Sequence, residues 1–130
     1  MLAAMSTAFM VVIIAMGLMR VAIGLAPFVA AGAVSRLLGF PPEHDNPTAR
    51  LMGRMFGVRD VGLGVLAFYA VLHPAVAAFV FLFNAAMDAG DLVSIGVPVA
   101  KRQGIDRAAG RSATLAITGG LAWVAVWLAL

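Results

Sequence analysis

Arg59 and Asp60 stand side by side in "GVRDVGLG", and a little further on "NAAMDAGD" sets Asn84, Asp88 and Asp91 at i, i+4 and i+7. On a helix that spacing projects the amide and both carboxylates from one face. Two carboxylates a turn apart in apolar surroundings repel one another unless a cation lies between them. Arg59 and Arg20 are the cations available. Such a group can do acid/base chemistry without a cofactor: one Asp kept protonated acts as general acid, and a second, held ionised by Arg59, acts as base or stabilises a cation. Cyclisation, isomerisation or epoxide opening of a lipophilic small molecule suits that equipment. The catalytic candidates are therefore Asp88, Asp91, Arg59 and Asp60, with Asn84, Arg20, Phe56, Tyr69 and Trp123 as binding candidates. No metal site and no cofactor enters this reading.

The elements that must position these groups are membrane spans. Of the 130 residues, 63% are hydrophobic and 12% charged, far from the balance of a domain folded in water. A spanning helix needs about 20 mostly apolar residues. Four stretches qualify, at about 3–26, 49–72, 75–97 and 112–130, which predicts an all-α membrane four-helix bundle made of one domain, 1–130. The start lacks a basic n-region, so it reads as a retained helix and not a cleaved signal peptide. Residues 30–38, with Arg36, are expected to lie along the interface as a short helix, because apolar sequence from Leu2 to Val34 exceeds one straight span. Asn46 or Thr48 is the expected cap of the second helix. Pro74 ends it, and "KRQGIDRAAGR" reads as the polar connection before the fourth.

Basic residues orient the chain. Arg36, Arg50 and Arg54 lie in or beside the first loop and Lys101, Arg102, Arg107 and Arg111 in or beside the third, whereas the "HP" turn has none. Loops rich in Lys and Arg stay in the cytoplasm. The expectation is a multi-pass protein of the cell's inner (plasma) membrane with both termini outside. Seven of the nine cationic residues are thus accounted for by topology, which excludes nucleic acid as a partner and leaves membrane lipids as the use of the loop charges.

If the second and third helices form a hairpin about His73 and Pro74, Arg59 falls level with Asp88, and Phe56 with Asp91. Arg20 reaches a similar depth on the first helix. Charges from three helices then converge on one layer near the cytoplasmic side, where ionisable groups face the bundle interior and find partners. Arg59 is expected to meet the Asp88 and Asp91 stripe, and Asp60 to reach Arg20 or Arg54. Gly53, Gly57 and Gly64 share a face with Asp60 in a small-residue pattern that lets membrane helices pack closely, and Gly62 leaves a further notch. "RVAIGLAPF" at 20–28 also aligns with "DVGLGVLAF" at 60–68, opposing Arg20 to Asp60, a match short enough to arise by chance.

"RMFGVRDVGLG" followed by "DAGD" resembles small four-span bacterial membrane families of unknown function that carry Gly-x-Arg-Asp-x-x-Leu-Gly and a later Asp-x-x-Asp. Gly57, Arg59, Asp60, Gly64, Asp88 and Asp91 carry the resemblance, over the middle half of the chain. It implies a four-helix fold with a shared charged centre and brings no activity with it. Asn84 and Asp88 are similar in spacing to the Asn-x-x-x-Asp motif with which membrane prenyltransferases hold magnesium and a diphosphate. Those enzymes have twice as many helices and a second acidic motif.

Three classes of function follow. The first is the acid/base enzyme acting on a lipophilic small molecule. The second is a structural or accessory subunit of a membrane complex, in which the charged layer is a salt-bridge clasp; the third is a small transporter or proton relay through Asp88 or Asp91. An enzyme needs a cavity at the Arg59 layer, and a clasp is packed shut. Four short spans leave little room for a deep pocket, so a homo-oligomer or a larger complex is expected. Among other polar and aromatic residues, His73 reads as a helix end, Glu43, His44 and Asp45 as a solvated loop, and Trp123 with Trp127 as an interfacial anchor or a stacking surface.

Overall fold

The computed structural model describes residues 5–130, which form four long helices: α1 (Thr7–Leu38), α2 (Pro47–Leu72), α3 (Ala77–Ala100) and α4 (Asp106–Leu128). All four are long and apolar enough to cross a membrane, and together they make a four-helix bundle. Residues 3 and 4, expected in the first helix, lie outside the described residues.

Local chemistry explains most of the ends. Ser6 accepts from the Phe9 N–H at 3.2 Å and starts α1. Gly39, at φ 89°, closes it, its N–H donating to the Ser35 and Arg36 carbonyls in a left-handed conformation that suits glycine. At 32 residues α1 is roughly 48 Å long, more than the apolar thickness of a bilayer. Its backbone leaves helical geometry at Ala30 (φ −146°, ψ 50°), three residues past Pro27, whose missing N–H weakens the ladder. The break therefore falls where the expected interfacial segment begins. Asn46 caps α2 by accepting from the Ala49 N–H at 3.0 Å, and His73 before Pro74 ends it. Arg50, in the first turn of α2, donates twice to Asp45 in the intervening loop, and this hydrogen bonding holds the Asp45 carboxyl below its ordinary range.

Several boundaries differ from expectation: α1 runs on to Leu38 instead of ending near 26, and α2 begins two residues early, at Pro47. A short 3₁₀ turn, Pro74–Val76, delays the start of α3 to Ala77, and the helix then runs on through Pro98 to Ala100. α4 begins at Asp106, six residues before the expected 112. Asp106 sits in its first turn, where a carboxylate complements the helix dipole, and Ala108 and Ala109 are buried. A polar exposed face masked that turn in the sequence.

α1 lies along α2 and α3 along α4, and the two antiparallel pairs touch each other far less extensively. Away from the long loops they share a core of Ile13, Ala67, Ala70, Ala77, Val80, Phe81, Trp123 and Val126. Phe81 packs on Trp123 with ring centroids 5.8 Å apart and meets Phe9 edge-on at 6.3 Å. Trp123 is 2% exposed, so it is core, neither an interfacial anchor nor a stacking surface. Beyond the basic turns beside the long loops the outer faces are largely apolar, as a hydrocarbon solvent requires.

Candidate functional site

Close approach of α1 and α2 creates the site. A Cβ added at Gly24 or Gly57 would fall into the other residue's carbonyl oxygen, and one at Gly64 would lie 2.6 Å from the Gly17 carbonyl oxygen. Backbone therefore rests on backbone at two levels. Between those levels, Arg20 Nη1 donates to Asp60 Oδ1 at 3.0 Å. The two helices bring the same spacing to this contact in opposite directions: Gly17, Arg20, Gly24 against Gly64, Asp60, Gly57. Of the residues that the short alignment of "RVAIGLAPF" with "DVGLGVLAF" pairs, Arg20 and Asp60 face one another, whereas Gly24, aligned with Gly64, faces Gly57 in the antiparallel pair.

Arg20 also reaches the other helix pair. Its Nη2 donates to Asp88 Oδ2 at 2.6 Å and, at 3.4 Å, to the Asn84 carbonyl at the same level of α3. α4 seats Asp88 from behind: a Cβ at Gly119 would come within 3.0 Å of Asp88 Oδ2, and one at Gly120 within 3.3 Å of its Cβ. Arg20, Asp60, Asn84 and Asp88 are all buried. One guanidinium therefore ties α1, α2 and α3 together in a compartment buried within the bundle.

Arg59 forms the second half of the layer. Nη1 and Nη2 donate to the two carboxylate oxygens of Asp91 at 2.6 and 2.7 Å, the parallel fork that Arg and carboxylate geometry favours. Nη2 also lies 3.7 Å from Asp60 Oδ1, joining the two halves, and the Phe56 ring covers the guanidinium at 4.5 Å. This pair is less enclosed, with side chains 28% and 18% exposed. Beside it an apolar groove of about 350 Å³ opens between α2 and α3, lined by Arg59, Gly62, Leu63, Leu66, Phe83 and Met87.

The predicted convergence of charges is thus present: Arg59 meets the expected stripe, at Asp91 alone, and Asp60 reaches Arg20, one of its two expected cations. Arg59 binds Asp91 and makes no hydrogen bond to Asp88, which belongs to Arg20; Asp60 also belongs to Arg20, and Arg54 stays out. The turn explains the shift. Because α2 ends at Leu72 and α3 begins at Ala77, the residue level with Arg59 is Gly90, next to Asp91. Asn84 turns its amide to the Val80 carbonyl of its own helix at 3.0 Å. With Asp88 committed to Arg20, these two do not fit the magnesium set that their spacing resembles. Tyr69 lies ten residues from Arg59 on α2 and packs on His73 at 4.2 Å, so it stands apart from the layer, as does Trp123. Among the described residues no three His, Cys, Asp or Glu side chains are grouped to hold a metal ion.

Sequence reasoning passed over Gly17 and Gly24, which permit the approach, and Gly119 and Gly120, which seat Asp88. The first two were detectable, since they flank Arg20 at i−3 and i+4. Gly53, grouped with the close-packing glycines, meets only Pro27 at 3.8 Å.

Fold and site together define a small integral membrane protein of four helices held about a buried Arg and Asp layer. A family model for a domain of unknown function, DUF4267, matches residues 17–130, and the chain belongs to that family. No curated protein and no solved structure matches it.

Proposed function

We propose that the charged layer is a clasp and that the protein serves as a non-catalytic structural or accessory module, within a homo-oligomer or a larger membrane complex. One observation carries the reading: Arg20 binds Asp60 and Asp88 on separate helices, and all three side chains are at most 10% exposed. A substrate has no path to these carboxylates unless the helix pairs part. Contact between the pairs is limited, and Arg20–Asp88 and Arg59–Asp91 are ion pairs that cross it. Lipid tails are as apolar as the helices, so hydrogen bonds and close packing must supply cohesion and register.

The test compares single and joint replacements. Arg20→Met alone leaves two buried carboxylates without their cation and is expected to cost about 3–5 kcal/mol. The triple variant Arg20→Met, Asp60→Leu, Asp88→Leu removes the charges together and should recover much of that loss. Paired cysteines in this cysteine-free chain report the distance between helix pairs by disulfide crosslinking. Unchanged melting and unchanged crosslinking in Arg20→Met would retire the clasp.

A second reading rests on the groove beside Arg59. Two guanidiniums face three carboxylates, leaving one negative charge for a proton or a ligand's positive charge to offset. Asp91 and Arg59 are the members of the layer that a lipophilic molecule entering from the bilayer can approach. In that reading the pair performs acid/base chemistry or relays a proton. Gly62 has open space around its Cβ position, so Gly62→Leu fills the groove without disturbing the clasp. Loss of a lipophilic molecule from purified Gly62→Leu, with melting unchanged, favours this reading.

A further inference from the structure

A second groove, about 330 Å³, lies at the end of the bundle that carries both long loops. Leu37 and Leu38 of α1 and Thr114 and Leu115 of α4 form its walls, with Arg111 at its head. α1 and α4 touch little along their lengths, so this cleft is open, and Leu37 and Leu115 are 74% and 55% exposed. Arg111 Nη1 reaches across and donates to the Leu37 carbonyl. Arg107, one turn earlier, converges on the same place: a Cβ at Gly39 would lie 2.8 Å from Arg107 Cγ and Cδ and 3.5 Å from Arg111 Nη1.

The charge on these two arginines is not neutralised locally. Every close ion pair among the described residues involves Arg20, Arg50 or Arg59; Arg107 and Arg111 have no carboxylate within 4.0 Å. Asp106 and Arg36 are the other charged groups on the adjoining turns of α4 and α1. An exposed apolar cleft between two candidate spans, headed by two guanidiniums without a carboxylate partner, has the shape and charge of one ligand class. We propose that it seats an anionic phospholipid, with an acyl chain between Leu37, Leu38 and Leu115 and the phosphate on Arg107 and Arg111. Guanidinium donors match phosphate oxygens, and basic pockets between spanning helices recognise anionic head groups. Walls alone do not select this lipid, because a chain in the groove exchanges hydrocarbon for hydrocarbon. Selection comes from the head group. The site is independent of the clasp.

Native mass spectrometry of the full chain in detergent, with phosphatidylglycerol or phosphatidylcholine of identical chains, tests it. Phosphatidylglycerol should be retained roughly tenfold over phosphatidylcholine, given two basic contacts. Two variants should each abolish that preference: Arg107→Gln with Arg111→Gln, which removes the head-group donors, and Leu115→Trp, which blocks the groove and leaves the charges. Because Arg111 also holds the end of α1, helicity is checked by circular dichroism, and Leu115→Trp stands as the variant that spares that contact. Equal retention of the two lipids overturns the proposal. So does a preference that survives Leu115→Trp, which would mean diffuse attraction without a seat.

Discussion

Arg20 does what no other side chain type could do at its position. Its planar fork presents separate N–H groups to carboxylates on two helices, with Asp60 on one nitrogen and Asp88 on the other. A lysine carries the same charge on one small ammonium at the end of a flexible stem, and cannot span both carboxylates in the same geometry. Arg20→Lys is therefore expected to lose one charged hydrogen bond within a buried compartment, about 2 kcal/mol. Arg59→Lys should cost less, about 1 kcal/mol, because its partner Asp91 and its own side chain are partly exposed. Thermal melting of both variants in one detergent measures the order, and a greater loss in Arg59→Lys would contradict it. The sequence disclosed that these charges share a layer, since burying them singly is costly and their spacings coincide. It did not disclose the partners. A turn longer by two residues shifts the α2–α3 register by about half a helical turn, which moves the residue level with Arg59 from Asp88 to Gly90, beside Asp91.

Among the elements, α1 and α2 depend on glycine in a way that α3 does not. Gly24 and Gly57 meet backbone to backbone, whereas Gly62 and Gly90 have nothing within 4 Å of a Cβ position. A methyl at Gly57 has nowhere to go, because its obstacle is the main chain of α1 and not a movable side chain. Gly57→Ala must push the helices apart and stretch Arg20–Asp60 with them, a loss of about 1–3 kcal/mol by analogy with overpacked cores. Gly62→Ala and Gly90→Ala should be neutral or stabilising by about 0.5–1 kcal/mol. Melting temperatures separate the two groups, and a harmless Gly57→Ala would show that the pair is not seated as described. The i, i+3, i+7 pattern on α2 made this face legible. Its counterpart on α1, Gly17 and Gly24 about Arg20, has the same spacing and was legible in the same way. α4 was misread at its start: Arg107 and Arg111 on its exposed face resemble a polar loop in sequence, while Ala108 and Ala109, the residues that pack, give a weak hydrophobic signal.

At the scale of the molecule, two helix pairs are joined by the charged layer, and both long loops lie at one end. Contact of Arg111 with the Leu37 carbonyl fixes that arrangement directly, since it brings the start of α4 to the end of α1. The Lys and Arg residues of the loops and their flanks therefore gather at a single pole, and the His73–Pro74 turn, without Lys or Arg, occupies the other. A charge asymmetry of this kind orients a membrane protein with its basic pole in the cytoplasm. The expected topology has the α1–α2 and α3–α4 loops inside and the α2–α3 turn outside. The absence of cysteine makes the test direct. Single cysteines at Gln103 or Glu43 should resist a membrane-impermeant thiol reagent in intact cells and react after permeabilisation, whereas Ala75→Cys should react in intact cells. The reverse labelling pattern would place the basic pole outside, and would remove the groove between α1 and α4 from the leaflet where anionic lipid most strongly attracts arginine.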